Sequence, residues 1–281
     1  MSKADTLPAR GNIRKRTDGQ VAGTGQVQSL TRGLVLLERI AEAPAGIMLT
    51  DLSMQVGLPN STTHRLLTTM QQMGFVQQTG DLGLWSIGVR AFTVGSGFLS
   101  SRDLSTLAMP ILRQVMEAAG ETSNLVVFDT DAWQSVVVGQ VQCRELMRML
   151  APIGGRLPLH ASGAGKAFLA AQDEAHIERI LQKTGLPLFT GNTITTPAQL
   201  KEEMAQIHKQ GFAVDDGEHA VGLRCVASCI YDESGNAFAA ISVSGPASRI
   251  PDERITHLGS LVMRAAGEIT RLYGGKARKP S

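Results

Sequence analysis

The chain has 281 residues, of which 43% are hydrophobic and 19% charged, so it is long and apolar enough to bury a core in each of two domains. No stretch approaches the roughly 20 uninterrupted apolar residues of a membrane span, and no apolar segment follows the basic N-terminal residues as in a signal peptide. These features predict a cytoplasmic protein without a membrane partner. The three cysteines, Cys143, Cys225 and Cys229, form no CxxC pair, which argues against a disulfide framework or a zinc ribbon.

The two ends of the chain are basic and lack hydrophobic periodicity. Residues 1–25 contain five basic and two acidic residues among glycine, threonine and glutamine, which predicts a disordered basic arm. Residues 275–281 form a shorter tail of the same kind. The arm is a candidate auxiliary DNA contact, although basic termini are also common as solvated tails. The formal net charge of +2 is by itself too small to indicate a nucleic-acid partner.

Residues 26–88 have the pattern of a winged helix-turn-helix domain. The first helix is predicted over residues 29–43, and a short second helix follows Thr50 and ends at Gly57. The inward stripe of the first helix is expected to consist of Leu30, Leu34, Leu37 and Ala41. A third helix is predicted from Ser61 to Met73, and after Gly74 two short extended runs predict a hairpin wing.

The third helix is the candidate DNA-reading element. If Leu66, Met70 and Met73 face the core, the opposite face presents polar side chains to the solvent. Such a face fits the major groove, where arginine pairs with guanine and hydroxyl groups reach phosphates or base edges. The candidate DNA-contacting residues are Ser61, Thr62, Thr63, Arg65 and Thr69. The alternative is an ordinary solvated helix face.

The charge of the N-terminal domain predicts more than one copy of the chain in the DNA complex. Residues 29–97 contain four arginines and four acidic residues, so this segment is formally neutral. Four arginines are few for neutralising phosphates unless a second subunit doubles them. We therefore expect a homodimer or homotetramer that reads two-fold related half-sites in double-stranded operator DNA.

The rest of the chain predicts an α+β fold behind a helical linker. The linker is expected over residues 89–120, and strands and helices alternate over residues 121–274. The strands are predicted near 124, 135, 212–215, 225–231 and 238–244, and the helices over 165–183, 197–210 and 251–273. A short polar turn joins the strands at 225 and 238 as in a hairpin, so we expect a mainly antiparallel sheet.

Three segments of the chain resemble the IclR family of bacterial regulators: GQVQSLTRGLVLLERIAE, LTDLSMQVGLPNSTTHRLLTTMQQMGFV and APIGGRLPLHASGAGKAFLA. The resemblance extends from about Gly25 to Tyr273. It implies a winged helix-turn-helix, a linker helix that helps two chains dimerise, and a GAF-like domain that binds small carboxylates. It further implies repression of glyoxylate-bypass genes, with a 2-oxo acid such as glyoxylate or pyruvate as the effector.

The resemblance also implies an effector pocket in the C-terminal domain. Its expected residues are Gly163, Ala164, Asp215, Cys225, Ser242 and Ser244, with Leu146, Met149 and Leu223 as apolar walls. Ser242 and Ser244 are two apart in a predicted strand, so their hydroxyl groups share one face. The start of the helix near Gly163 offers free backbone N–H groups that can hold a carboxylate. From the residues alone, the favoured explanation is that small core side chains let a helix approach the sheet.

Two other classes of protein are alternatives to a DNA-binding regulator: an enzyme, and a ligand-binding protein that does not recognise DNA. The GAGK sequence at 163–166 resembles a P-loop but lacks its first glycine and the hydroxyl residue after the lysine, and no other catalytic motif is present. A metal site at His219, Cys225 and Cys229 is disfavoured because residues four apart in a strand lie about 13 Å apart. We therefore expect no enzyme activity, metal or cofactor. The remaining alternative is a small-carboxylate-binding enzyme or sensor without sequence-specific DNA binding.

Overall fold

A computed structural model describes residues 27–80, 83–102, 104–146 and 151–276, without the side chains of residues 96–102. The chain forms two compact units, one ending at Gly95 and the other beginning at Ser96. The predicted arm over 1–25 lies outside these ranges, as does most of the predicted tail. Among the described helices, none is both long and apolar enough to cross a membrane.

The first unit contains three helices and a two-stranded hairpin. The helices are α1 (Gln28–Ala41), α2 (Leu49–Val56) and α3 (Asn60–Gln72), and the antiparallel strands are β1 (Val76–Thr79) and β2 (Leu84–Ile87). Gly57 ends α2 at φ 71°, a left-handed conformation that favours glycine and turns the chain into α3. Backbone hydrogen bonds in both directions between Ile47 and Trp85 tie the loop after α1 to the hairpin. This arrangement is the predicted helix-turn-helix with its wing.

The core of the first unit uses only Leu37 of the predicted stripe of α1, and Leu37 is partly buried. Leu36 and Ile40 are buried with Leu52, Leu67 and Trp85. Leu30 and Leu34, which were expected to face inward, are 62% and 53% exposed, so that prediction is wrong for the described subunit. Leu36 and Leu37 are adjacent, and the leucine-rich sequence allows either helix phase.

Two helices follow the hairpin, α4 (Val89–Arg102) and α5 (Leu104–Ala119). The division between the two units falls within α4, inside the segment predicted as a linker. Helix α5 belongs to the second unit and buries Ala108, Ile111 and Val115 along one stripe. Pro110 lies inside this helix, on the exposed side.

The second unit is built on a six-stranded sheet in which every pairing is antiparallel. The strand order is β5-β4-β3-β8-β7-β6. The strands are β3 (Thr122–Asp129), β4 (Gln134–Val141), β5 (Arg156–Leu157), β6 (Ala213–Asp216), β7 (Leu223–Tyr231) and β8 (Ala237–Pro246). This sheet confirms the predicted α+β class, although the sequence analysis did not predict the two-residue strand β5.

Helices cover both faces of the sheet. On one face α5 and α9 (Asp252–Leu272) pack over Leu125, Val226 and Ile241. On the other face lie α6 (Gly163–Ala170), α7 (Glu174–Thr184) and α8 (Pro197–Gln210). The single helix predicted over 165–183 is thus two helices. The Asp173 side chain accepts a hydrogen bond from the N–H of His176 at 2.7 Å, which caps α7 and starts it anew.

Candidate functional site

The exposed face of α3 carries most of the predicted DNA-contacting residues. Ser61, Arg65 and Thr69 are exposed and Thr62 is partly exposed. The Thr69 hydroxyl group donates a hydrogen bond to the backbone carbonyl oxygen of Arg65 at 3.0 Å. The guanidinium of Arg65 remains on the surface, where it can pair with guanine or with a phosphate.

The prediction for Thr63 is corrected by its burial. Thr63 and Leu67 are both 0% exposed, so these two residues form the inward stripe, flanked by partly buried Leu66 and Met70. Met73, which was expected to face inward, is 53% exposed. The observed stripe is turned by about one residue from the predicted one, and Thr63 therefore does not share the face of Arg65.

The second unit contains a cavity of about 200 Å³ between the sheet and the start of α6. The predicted effector residues that line it are Gly163, Ala164, Asp215, Leu223, Cys225, Ser242 and Ser244. Leu146 is 99% exposed and does not line the cavity, so its predicted role as a wall is wrong. Met149 lies outside the described residues.

The register of the sheet explains why these distant residues meet. Directly paired residues on neighbouring strands share a face. Ser244 of β8 pairs with Cys225 of β7, which in turn pairs with Asp215 of β6. Two residues along β8, Ser242 pairs with Asn124 of β3. These two adjacent rows form the floor of the cavity, on the face of the sheet that α6 covers.

Two glycines let the first turn of α6 lie directly against its neighbours, Gly163 against the sheet and Gly165 against the loop after β5. A Cβ atom on Gly163 would lie 3.1 Å from both the carbonyl oxygen and the sulfur of Cys225, and one on Gly165 would lie 2.5 Å from Leu159 Cα. The Ser162 side chain caps the helix by accepting from the N–H of Gly165 at 3.1 Å. The N-terminal end of α6, which carries partial positive charge, thus forms one wall of the cavity.

Asp215 is the ionisable group at the cavity floor, and it is only 1% exposed. Its Oδ1 accepts hydrogen bonds from the N–H groups of Glu218 at 2.8 Å and His219 at 3.4 Å. Burial nevertheless dominates and raises the pKa of Asp215 to about 7. Burial also raises the pKa of the neighbouring Cys225 thiol to about 12, so this thiol is protonated at neutral pH.

A buried lysine of α6 pairs with a carboxylate in the turn that holds Asp215. Lys166 is 1% exposed, and its Nζ donates to Glu203 at 2.7 Å and to Glu218 at 2.5 Å. Glu218 also belongs to the turn whose N–H groups hold Asp215. The lysine charge is therefore neutralised by carboxylates on both sides. In the sequence this lysine is part of the GAGK segment, which resembles a P-loop and gives no sign of these ion pairs.

Eight further residues line the cavity that the sequence analysis did not assign to it. They are Asn124, Val126, Val137, Ala151, Leu157, Ser162, His219 and Ala220. Burial lowers the pKa of His219, so its ring is neutral at pH 7. Among the described residues around the cavity, none is a lysine or arginine. Within the same ranges no cluster of three or more potential metal ligands is present.

Comparison with known proteins identifies the class to which these two sites belong. Residues 29–80 match the IclR helix-turn-helix domain, and residues 96–271 match the C-terminal domain of IclR-type bacterial transcriptional regulators. The chain therefore belongs to the IclR family. It is a DNA-binding transcription regulator rather than an enzyme.

Individual relatives are similar over nearly the whole chain. The acetate operon repressor of Salmonella typhimurium strain LT2 is 59% identical over 252 residues, which cover 90% of this chain and 92% of that protein. The transcriptional repressor IclR of Escherichia coli K12 is 56% identical over 269 residues, 96% of this chain and 98% of that protein. The crystal structure of an IclR homolog from Microbacterium hydrocarbonoxydans, complexed with 4-hydroxybenzoate, has a TM-score of 0.76 at 25% identity. The aligned part covers 86% of this chain and 98% of the Microbacterium hydrocarbonoxydans chain.

Proposed function

We propose that this chain represses genes of acetate use and the glyoxylate bypass, and that a small 2-oxo acid such as glyoxylate or pyruvate controls its binding to the operator. The similarity to the Salmonella typhimurium acetate operon repressor, at 59% identity over 90% of this chain, supports the target genes. The binding of 4-hydroxybenzoate by the Microbacterium hydrocarbonoxydans homolog supports a carboxylate as the class of ligand.

The cavity is the observation that carries the effector half of the proposal. Its volume of about 200 Å³ accommodates a small organic acid, since an apolar cavity of about 150 Å³ is large enough to hold benzene. A carboxylate there meets the N-terminal end of α6 and the hydroxyl groups of Ser242 and Ser244. Asp215 accepts a hydrogen bond from the hydroxyl group of a hydrated aldehyde, or holds a proton that it shares with the ligand.

The exposed face of α3 carries the DNA half. Arg65 is its one charged donor to base edges, and hydroxyl groups and the helix N-terminus contact phosphates. A homodimer or homotetramer supplies two such helices, so the operator contains pseudo-palindromic half-sites separated by about one helical turn of DNA or a multiple of it.

The effector changes repression by binding more tightly to one assembly of the chains than to another. Two effectors with opposite preferences would shift operator affinity in opposite directions. The test is an operator titration on DNA from upstream of glyoxylate-bypass genes, without effector, with glyoxylate and with pyruvate. Scrambled DNA of equal length is the control for nonspecific binding.

Variants divide the proposal into its two halves. Ser242→Ala and Ser244→Ala should leave operator affinity without effector unchanged and weaken the response to both acids. An undiminished response in both variants would remove the cavity from the proposal. Equal affinity for promoter and scrambled DNA at every salt concentration would remove the operator half.

A further inference from the structure

We infer that Gln140 and Asn124 set the class of ligand that the cavity accepts, because they fix the direction in which the hydroxyl groups of Ser242 and Ser244 point. Asn124 lines the cavity. Gln140 is the residue of β4 that pairs directly with Asn124 in the sheet, and it does not itself line the cavity. The inference rests on the proposed function, and it predicts a preference for a carboxylate over an uncharged amide of the same shape.

The hydrogen-bond chain begins at a backbone carbonyl group. Gln140 Nε2 lies 2.9 Å from the carbonyl oxygen of Ala151, which can only accept. The atom of Gln140 at this position must therefore be the amide nitrogen. Its oxygen is turned the other way, where it accepts from Gln142 Nε2 at 3.1 Å. The carbonyl group of Ala151 thus fixes the orientation of the Gln140 amide, and the contact with Gln142 is compatible with it.

The orientation of Gln140 determines that of Asn124. The same Gln140 nitrogen lies 2.8 Å from Asn124 Oδ1, and a donor at this position requires the Asn124 oxygen to face it. The Asn124 amide nitrogen then faces β8. It lies 3.3 Å from Ser242 Oγ and 3.1 Å from Ser244 Oγ. Because an amide NH2 group only donates, both serine oxygens accept from it.

Each serine therefore keeps its own hydroxyl hydrogen for a different acceptor. The hydrogen of Ser244 is available to a ligand in the cavity. Ser242 also lies within hydrogen-bond reach of the Cys225 sulfur, which is a weak acceptor and a poor competitor for a carboxylate oxygen. The floor of the cavity thus presents hydrogen-bond donors.

The direction of these hydroxyl groups matters because the described lining contains no lysine or arginine. Lys166, behind the wall, is already paired with Glu203 and Glu218. Within the described lining, a carboxylate ligand therefore meets only neutral donors. If the Asn124 amide turned over, its oxygen would accept both hydroxyl hydrogens and the serines would present lone pairs to the cavity. Such a floor suits an NH2 group better than a carboxylate.

The experiment is calorimetric titration of the full-length chain with pyruvate and with pyruvamide, its primary amide. Gln140→Glu removes both donors of Gln140 and offers Asn124 a carboxylate that accepts from its nitrogen. We expect this variant to bind pyruvate about tenfold or more weakly, since the lost hydrogen bonds are made to a charged group. Pyruvamide should lose much less, so the ratio of the two affinities should move toward the amide.

Two further variants separate orientation from added charge. Gln140→Met releases Asn124 without adding a charge, so the ratio should move in the same direction by a smaller factor. Gln134→Glu adds the same charge on β4 roughly 20 Å from Gln140, so it tests only a long-range effect of charge, and its ratio should match that of the wild-type chain. General damage to the fold would lower both affinities together and leave the ratio unchanged.

The possible outcomes are distinguishable. Wild-type chain that binds neither pyruvate nor glyoxylate would overturn both the proposed effector class and this inference. Wild-type chain that binds pyruvate, combined with an unchanged pyruvate-to-pyruvamide ratio in both Gln140 variants, would overturn this inference alone. A ratio that moves as far in Gln134→Glu as in Gln140→Glu would also overturn it, because charge would then be sufficient.

Discussion

Replacing Asp215 by asparagine should stabilise the second unit at pH 8 and leave its stability nearly unchanged at pH 4. The carboxyl group is 1% exposed, and its burial raises the pKa from the usual 3.8 to about 7. The folded state therefore holds a proton that the unfolded chain has released. Asparagine keeps an oxygen that can accept from the N–H of Glu218 but carries no charge to bury.

The size and sign of this effect follow from proton linkage. Between pH 3.8 and 7 the folded state binds more protons at Asp215 than the unfolded state, so the free energy of unfolding falls as the pH rises. At 1.36 kcal/mol per pKa unit, a rise from 3.8 to about 7 gives a loss of about 4 kcal/mol. This is the upper limit of what asparagine can restore, and the restored amount should level off above pH 7.

The assay is urea unfolding followed by the fluorescence of Trp133, in a Trp85→Phe background shared by all variants so that the second unit alone is reported. Asp216→Asn is the matched control. The pKa of Asp216 is lowered by its hydrogen bonds to Arg224, so this carboxylate stabilises the fold at neutral pH and stops doing so as the pH falls. The control should therefore be destabilised at pH 8. A stabilisation by Asp215→Asn that is equal at pH 5 and pH 8 would contradict the reasoning.

Three other substitutions test the DNA face, the close approach of α6 and the buried lysine. Arg65→Ala should weaken operator binding by about 1–3 kcal/mol in a titration against promoter DNA; an equal loss on random DNA would show a phosphate contact instead. Gly165→Ala should destabilise the second unit by about 1–3 kcal/mol in urea unfolding, since its Cβ has no space, whereas Gly267→Ala in the open part of α9 should be neutral or stabilising. Lys166→Met should cost about 3–5 kcal/mol in the same assay because it leaves buried carboxylates unpaired, and the exposed Lys201→Met should change little. Indistinguishable unfolding of the two glycine variants, or of the two lysine variants, would count against the packing described here.

The elements of the fold were largely predictable, because they depend on local patterns. The third helix, the hairpin wing and the strands near 225 and 238 are marked by periodicity and turn residues. The rotation of α3 about its axis was not predictable. Leu66 and Leu67 are adjacent, so either can mark the core side, and the packing of α1 and α2 decides that Thr63 and Leu67 face inward.

The cavity was predictable only where the family resemblance reached. Ser242 and Ser244 share a face by strand alternation alone, and the structure shows both at the cavity. Asn124 carries no such local signal, since its position beside Ser242 depends on a strand register across more than a hundred residues. The wall role of Leu146 was carried over from the family resemblance, which does not show which way a loop residue faces; in the structure its side chain is 99% exposed.

The close approach of α6 to the sheet has a consequence for anyone who would retune this regulator as a biosensor. At the start of α6 the cavity is bounded by the backbone of Gly163, and a larger side chain at this position would crowd Cys225. Room for bulkier acids must instead come from the apolar part of the lining, where trimming Val126, Val137 or Leu157 removes apolar atoms from the cluster that also contains Ala164 of α6. Libraries restricted to those three positions should enlarge the range of accepted acids while sparing the donors that hold the carboxylate.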